Sequence, residues 1–234
     1  MAQNLTTIGF DADDTLWQNE RFYKMTQDRF ASLLADYAEA NHLDERLLAA
    51  ERRNIGHYGF GIKGFMLSMI ETAVEVTDGA VPGRIIAEIL EAGQEMLSHP
   101  IELLPHVRET VTELAVDYRI VLITKGDLLD QERKLAQSGL GELFDAVEIV
   151  SDKKRDTYAR IFNGHPPGAA MMVGNSMKSD VLPALEAGAW GVFVPQNLGW
   201  ALEHAEPPED EMRFRELADL GALPQLVADI GQGI

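Results

Sequence analysis

A chain of 234 residues, 46% hydrophobic and 25% charged, carries enough apolar side chain to bury a core and does not have the composition of a disordered segment. It contains no cysteine, which excludes disulfides, thiolate nucleophiles and cysteine-based zinc or iron-sulfur sites, so any metal must sit on oxygen or imidazole. Its net charge of -18 opposes binding to nucleic-acid phosphates, and an anionic ligand would need local cations to reverse that field inside a site.

In chain order, Met1 to Thr7 lacks the basic and apolar regions of an export signal. No stretch reaches the ~20 consecutive apolar residues of a membrane span, so a soluble, cytoplasmic protein is expected. Thr6 to Asp11 reads as a buried strand that ends in a cluster of carboxylates, Asp11, Asp13 and Asp14. From about Gln18 to His99 the pattern is helical: Phe22, Phe30, Leu33, Leu34 and Tyr37 recur at helical spacing, as do Phe65, Met66, Met69, Ile70 and Ala73. Gly56 to Gly64 separates two of these helices.

After Pro105 helices and strands alternate. The expected helices are His106 to Val116, Leu128 to Gln137, Thr157 to Phe162 and Asp180 to Ala187. The expected strands are Tyr118 to Thr124, Ala146 to Ser151, Ala170 to Val173 and Gly191 to Pro195. This predicts an α/β fold: a Rossmann-like parallel sheet with helices on both faces and an inserted all-helical domain. The core is expected at residues 1–16 and 100–234, and the helical insertion at 17–99. Glu203 to Glu211, rich in Glu and Pro, reads as an exposed loop, and the tail from Arg213 has no assigned element.

In parallel sheets ligands bind at the carboxyl ends of the strands. Four such ends carry a constellation: Asp11 and Asp13; Thr124, Lys125 and Gly126; Lys153; and Asn175 with Asp180. Asp11 and Asp13, two apart in an extended segment, point into one cleft. One carboxylate can attack phosphorus while the other moves protons. A hard cation such as Mg²⁺ relieves their repulsion. Thr124 can donate to a phosphate oxygen, the turn Lys125 to Asp127 opens a helix whose N–H groups can face an anion, and Lys153 can neutralise the transferring group.

These residues resemble the haloacid dehalogenase superfamily of phosphatases. Asp11-Ala-Asp13-Asp-Thr15 is similar to that family's DxDxT, followed by Thr124, Lys153 and Gly174-Asn175-Ser176-x-x-x-Asp180. Thr124-Lys-Gly126 with Gln131, Lys134, Leu135, Gly139 and Leu140 is similar to a pattern seen in many members. The resemblance spans about Thr6 to Pro195. It implies catalytic roles for Asp11, Asp13, Thr124 and Lys153, substrate contacts from Lys125 and Gly126, and Mg²⁺ on Asp11, Asp13, Asn175 and Asp180. It further implies that the helical insertion is a cap and that the substrate is a small phosphorylated metabolite; a homo-oligomer is not indicated.

The chain departs from the family pattern in two places: Asn175 stands where an acidic residue is usual, and Lys125 where Asn is common. Lys153 is chosen over Lys154 because it directly follows an acidic residue, Asp152. Of the rival readings, a dehalogenase has no need of an acid at Asp13, and a receiver domain lacks an inserted cap. A non-catalytic member whose metal site is weakened by Asn175 stays open. The six histidines are not spaced as a metal cluster. Phe60, Lys63 and Phe65 are candidates to face substrate, whereas Trp190 and Trp200 are expected to pack.

Overall fold

The chain runs in the order β1 (Thr7–Phe10), α1 (Glu20–Leu33), α2 (Ala40–Tyr58), α3 (Ile62–Val76), α4 (Gly83–Ser98), α5 (Val107–Leu114) and β2 (Arg119–Lys125). It continues with α6 (Leu128–Ser138), β3 (Ala146–Val150), α7 (Arg155–Ile161), β4 (Ala170–Gly174), α8 (Leu182–Glu186), β5 (Trp190–Phe193), β6 (Phe214–Glu216) and α9 (Leu223–Gln232). These elements belong to a computed structural model that describes residues 5–233; the ends of the expected core span, residues 1–4 and 234, lie outside the described residues.

All strand pairs are parallel, in the order β3-β2-β1-β4-β5-β6. Side-chain alternation explains why helices cover both faces. Ile8 and Phe10, Ile120 and Leu122, and Met171 and Val173 pack on one side with Val107 and Val111 of α5 and Val227 and Ile230 of α9. Val121 and Ile123, with Ala170 and Met172, pack on the other with Tyr158 of α7, Phe162 just after it and Ala184 of α8. β1 is the central switch strand, with β2 on one flank and β4 on the other, and its register sets Phe10 beside both Leu122 and Val173. Asp11 therefore leaves the sheet at the point where α/β proteins place their ligands.

Two compact units divide the chain: the sequence up to Gln18 with Ile101–Lys125 and everything from Gln131, and a second unit of Asn19–Pro100 with Gly126–Asp130. In the first, the outgoing and returning segments lie side by side, with Gln18 N–H donating to Glu102 C=O (2.9 Å) and Leu104 N–H to Leu16 C=O (3.0 Å). The second unit packs four helices around Phe30, Leu34, Leu47, Phe65, Met69, Ile89 and Met96. In α4 the buried residues Ile85, Ile89, Ala92 and Met96 follow the 3.6-residue period.

Several expectations need correction. Tyr37 lies beyond α1 and is exposed, because that helix stops at Leu33. Gly56 and Gly64 sit inside α2 and α3, leaving only the turn around Gly59 and Gly61, both at positive φ, between those helices. Phe65 belongs to the core of the helical unit, and within this unit Lys63 pairs with Asp127 (3.0 Å). The expected helix from Asp180 begins earlier, as a π-type turn over Met177–Val181 that passes into α8. The tail adds β6 and α9, whose apolar face completes one side of the sheet. Trp190 is buried and donates Nε1–H to Gly168 C=O (3.1 Å). Among the described residues, no helix is long and apolar enough to cross a membrane.

Candidate active site

The loop leaving β1 is a tight turn. Leu16 N–H donates to Ala12 C=O (2.8 Å) and Asp14 N–H to Trp17 C=O (2.8 Å), and Asp14 adopts φ 59, a left-handed conformation that Asp tolerates better than most residues. This turn sets Asp11 and Asp13 apart in environment. Asp11 is buried, with Oδ1 taking the ammonium of Lys153 and Oδ2 accepting from the Thr15 hydroxyl (3.2 Å).

Lys153 also donates to Asp180 Oδ1 (2.7 Å), while Asp180 Oδ2 accepts from Ser176 N–H (2.9 Å). A Cβ on Gly174 would lie 2.2 Å from that same Oδ2, so a glycine at the end of β4 is what lets the Asp180 carboxylate fold back over the strand. Lys153 is 1% exposed and Lys154 75%, the latter paired with Asp152 on the surface, so the register after β3 turns Lys153 inward.

One ammonium thus faces two carboxylates. Burial is the largest influence on Asp11 and raises it; Lys153 opposes and Asp180 adds to the rise, leaving Asp11 pushed up to about 7. Burial alone would lower Lys153, but the charges of Asp11 and Asp180 outweigh it and hold that ammonium above the usual lysine range.

The Asp13 carboxylate turns to other partners. It accepts from Lys134 Nζ (2.9 Å) and Trp17 Nε1 (2.8 Å) on one oxygen and from Gln131 Nε2 (2.8 Å) on the other. Burial would raise this carboxyl, yet Lys134 and the two neutral donors hold it below the usual aspartate value. Gln131 and Lys134 lie three apart on α6, on one helical face, and Trp17 is four residues beyond Asp13.

The amide of Asn175, with its nitrogen turned inward, reaches the main-chain carbonyl of Asp13 (3.1 Å), Asp11 Oδ2 (3.2 Å) and Thr15 Oγ1 (3.2 Å). The Asn175 main-chain N–H donates to the same Thr15 hydroxyl (3.1 Å). Of the expected metal ligands, Asp11 and Asn175 come together; Asp13 offers its carbonyl instead of its carboxylate, and Asp180 is taken up by Lys153 and Ser176. Among the described residues, no three His, Asp or Glu side chains converge as a metal cluster.

At the end of β2 the Thr124 hydroxyl is buried and donates to Lys125 C=O (3.3 Å), and Gly126 takes φ 138, a conformation side chains rarely adopt. Lys125 Nζ donates to Ser179 Oγ (2.8 Å) and pairs with Glu203 Oε1 (2.6 Å), and the Ser176 hydroxyl donates to Glu203 Oε2 (2.6 Å). Burial would raise Glu203, and Lys125 with the serine hydroxyls more than offsets it, holding the carboxyl low. Tyr158, buried under the π-type turn, donates its hydroxyl to Ser179 C=O (2.9 Å).

No spacing in the chain points to Glu203 or Tyr158, and the pattern that contains Gln131 and Lys134 gives neither a role.

Residues 5–188 match the family model of haloacid dehalogenase-like hydrolases. The chain is similar to a solved haloacid dehalogenase-like family hydrolase from Xanthomonas campestris, at 42% identity and TM-score 0.87 over 99% of this chain and 94% of that one. It is 32% identical over 127 residues to the N-acylneuraminate-9-phosphatase of Mus musculus, covering 50% of this chain and 51% of that protein. To the glyceraldehyde 3-phosphate phosphatase of Methanothermobacter thermautotrophicus it is 24% identical, over 83% of this chain and 87% of that protein. The match thus spans about half the length of the mouse relative and most of the archaeal one. With the family model covering most of the chain and the strand-end residues in place, the chain belongs to the haloacid dehalogenase-like hydrolases.

Proposed function

We propose that this hydrolase is a phosphatase acting on a small phosphorylated metabolite through an aspartyl-phosphate intermediate. The observation that carries the reading is the division between two carboxylates on one turn: Asp11 is buried against Lys153, and Asp13 is held apart by three donors. A dehalogenase, which attacks carbon and expels halide, has no use for the second.

In the first half-reaction an Asp11 oxygen bonds to phosphorus, the ester P–O bond breaks, and Asp13 in its protonated form gives its proton to the departing alkoxide. In the second, the ionised Asp13 takes a proton from water, the resulting hydroxide attacks phosphorus, and Asp11 leaves as the free carboxylate. Thr15 and Lys153 hold Asp11 in place throughout, and Lys153 offsets charge on the transferring group. Thr124 and Lys125 are assigned to the phosphoryl oxygens.

The oxygen set fits Mg²⁺, which accepts one or two carboxylates together with carbonyl and water oxygens. Asp11 Oδ2 and the Asp13 carbonyl lie close together, since the Asn175 amide nitrogen reaches them at 3.2 and 3.1 Å. When bound there the ion would neutralise phosphate and carboxylate charge. Asp11 Oδ2 and the Asp13 carbonyl are assigned as its ligands, and the Asn175 amide would join them by turning its oxygen inward.

The test is to mix the protein with phosphorylated metabolites and Mg²⁺, quench, and search for a hydroxylamine-labile phosphoryl group on the peptide holding Asp11. It should be present in the wild type and absent in Asp11→Asn. Halide release from 2-haloacids with no phosphate release from any ester would overturn the reading.

A further inference from the structure

In a chain of net charge -18, the cations around the strand ends should be what attracts a phosphate, yet three of them are matched by carboxylates. Lys153 pairs with Asp11 and Asp180, Lys134 with Asp13, and Lys125 with Glu203. Asp11, Asp13 and Asp180 belong to the strand-end motifs. Glu203 does not: it comes from the Glu- and Pro-rich stretch after β5 that sequence alone assigns to solvent.

The position of that carboxylate is informative. β2 and β4 flank β1, from which Asp11 emerges. Glu203 spans the ends of both neighbours, with one oxygen 2.6 Å from Lys125 Nζ at the end of β2 and the other 2.6 Å from Ser176 Oγ after β4. Its side chain is 21% exposed and that of Lys125 12%, so the pair meets in a shielded place where charge acts strongly.

The turn Ala201–Glu203 is pinned from the β4 side: Lys178 Nζ donates to Leu202 C=O (2.7 Å) and Ser176 Oγ lies 3.3 Å from Glu203 C=O. The residues that follow, to Glu211, are exposed or partly exposed. The loop therefore supplies a fixed anion and has little other packing to lose.

We infer that Glu203 is an internal counter-anion that competes with the phosphoryl group for Lys125 and so sets how tightly phosphate is held. The inference rests on the phosphatase reading. Two anions and one ammonium cannot all be satisfied, so the carboxylate weakens the hold of Lys125 on phosphate; that favours release of the product, inorganic phosphate, after each turnover.

The test is calorimetric titration of inorganic phosphate, with Mg²⁺ present, into the full-length wild type, Glu203→Gln, Lys125→Met and the double variant. Glu203→Gln should bind phosphate about tenfold more tightly, Lys125→Met should bind more weakly than wild type, and the double variant should return to within about threefold of wild type. Unchanged or weaker binding by a folded Glu203→Gln overturns the inference. If that variant does not fold, Lys125→Met decides alone, and unchanged or tighter binding overturns it. Wild-type binding that Glu203→Gln leaves unaltered removes only the role of Glu203, whereas absence of phosphate binding in all four proteins removes the phosphatase reading and the inference with it.

Discussion

Lys134 holds its ammonium 2.9 Å from Asp13 Oδ1, and this contact, with those from Gln131 and Trp17, keeps Asp13 ionised below the usual aspartate range. The carboxylate is thereby ready to take a proton from water. Lys134→Met removes the positive charge and lets burial raise Asp13. Where the second half-reaction, which uses ionised Asp13, limits the rate, activity should then begin to fall at a higher pH as the solution is acidified. The acid limb of the pH-rate profile for dephosphorylation measures this, and an acid limb unmoved in Lys134→Met would show that Lys134 does not act on the acid-base group. In Asp13→Asn the rate should drop by roughly 10² to 10⁴-fold.

Asp11 carries the opposite shift. Its carboxyl is raised from 3.8 to about 7 in the fold, so the native state holds a proton there that the unfolded chain has lost. The sign follows: this contribution to stability is complete below about pH 4 and disappears as pH rises through about 7. Asp11→Asn cannot ionise, so it should gain on the wild type across that interval, by an amount on the order of 1 kcal/mol or more. Urea midpoints of both proteins in chelator at pH 4, 6 and 8 test it, and a constant difference across the series would contradict the assignment.

Asn175 offers a neutral amide where three oxygens meet. Asn175→Asp removes the N–H donors and adds a negative charge beside Asp11 Oδ2, so without metal the variant should be less stable by about 1 kcal/mol, or roughly 2–4 °C in melting temperature. With Mg²⁺ the order should reverse, because a carboxylate holds a hard cation better than an amide does. Melting in chelator and calorimetric Mg²⁺ titration read the two halves separately. A variant that melts higher than wild type in chelator, or binds Mg²⁺ no more tightly, would refute the amide's role.

Gly174→Ala probes the fold of Asp180 over β4. The new methyl would meet Asp180 Oδ2 at 2.2 Å and its Cβ at 2.7 Å, leaving no room for the carboxylate in its present rotamer. Displaced, Asp180 loses the Ser176 N–H and the Lys153 ammonium together. We expect destabilisation of about 1–3 kcal/mol and a large loss of activity, measured by denaturant unfolding and turnover. Wild-type stability in this variant would mean that the Asp180 carboxylate has another equally good position.

The sequence by itself determined the parallel α/β sheet, the helical insertion and the places where strands end in polar residues. Those features are local: two-residue and 3.6-residue periodicities record which side chains face a core, and the break in an apolar run marks the carboxyl end of a strand. Asp11, Thr124, Lys153 and Asn175 were legible for that reason.

Tertiary structure decided what each residue touches. Glu203 meets Lys125 across 78 residues, and Lys134 meets Asp13 across 121. Such contacts depend on strand order, register and the path of a loop, none of which leaves a repeat or a spacing in the chain. Periodicity also cannot see how a carboxylate is turned. Asp13 presents its carbonyl toward Asn175 and its side chain toward Lys134 because a tight turn with Asp14 at φ 59 aims the two in different directions, and that conformation is fixed by hydrogen bonds closed only in the folded chain.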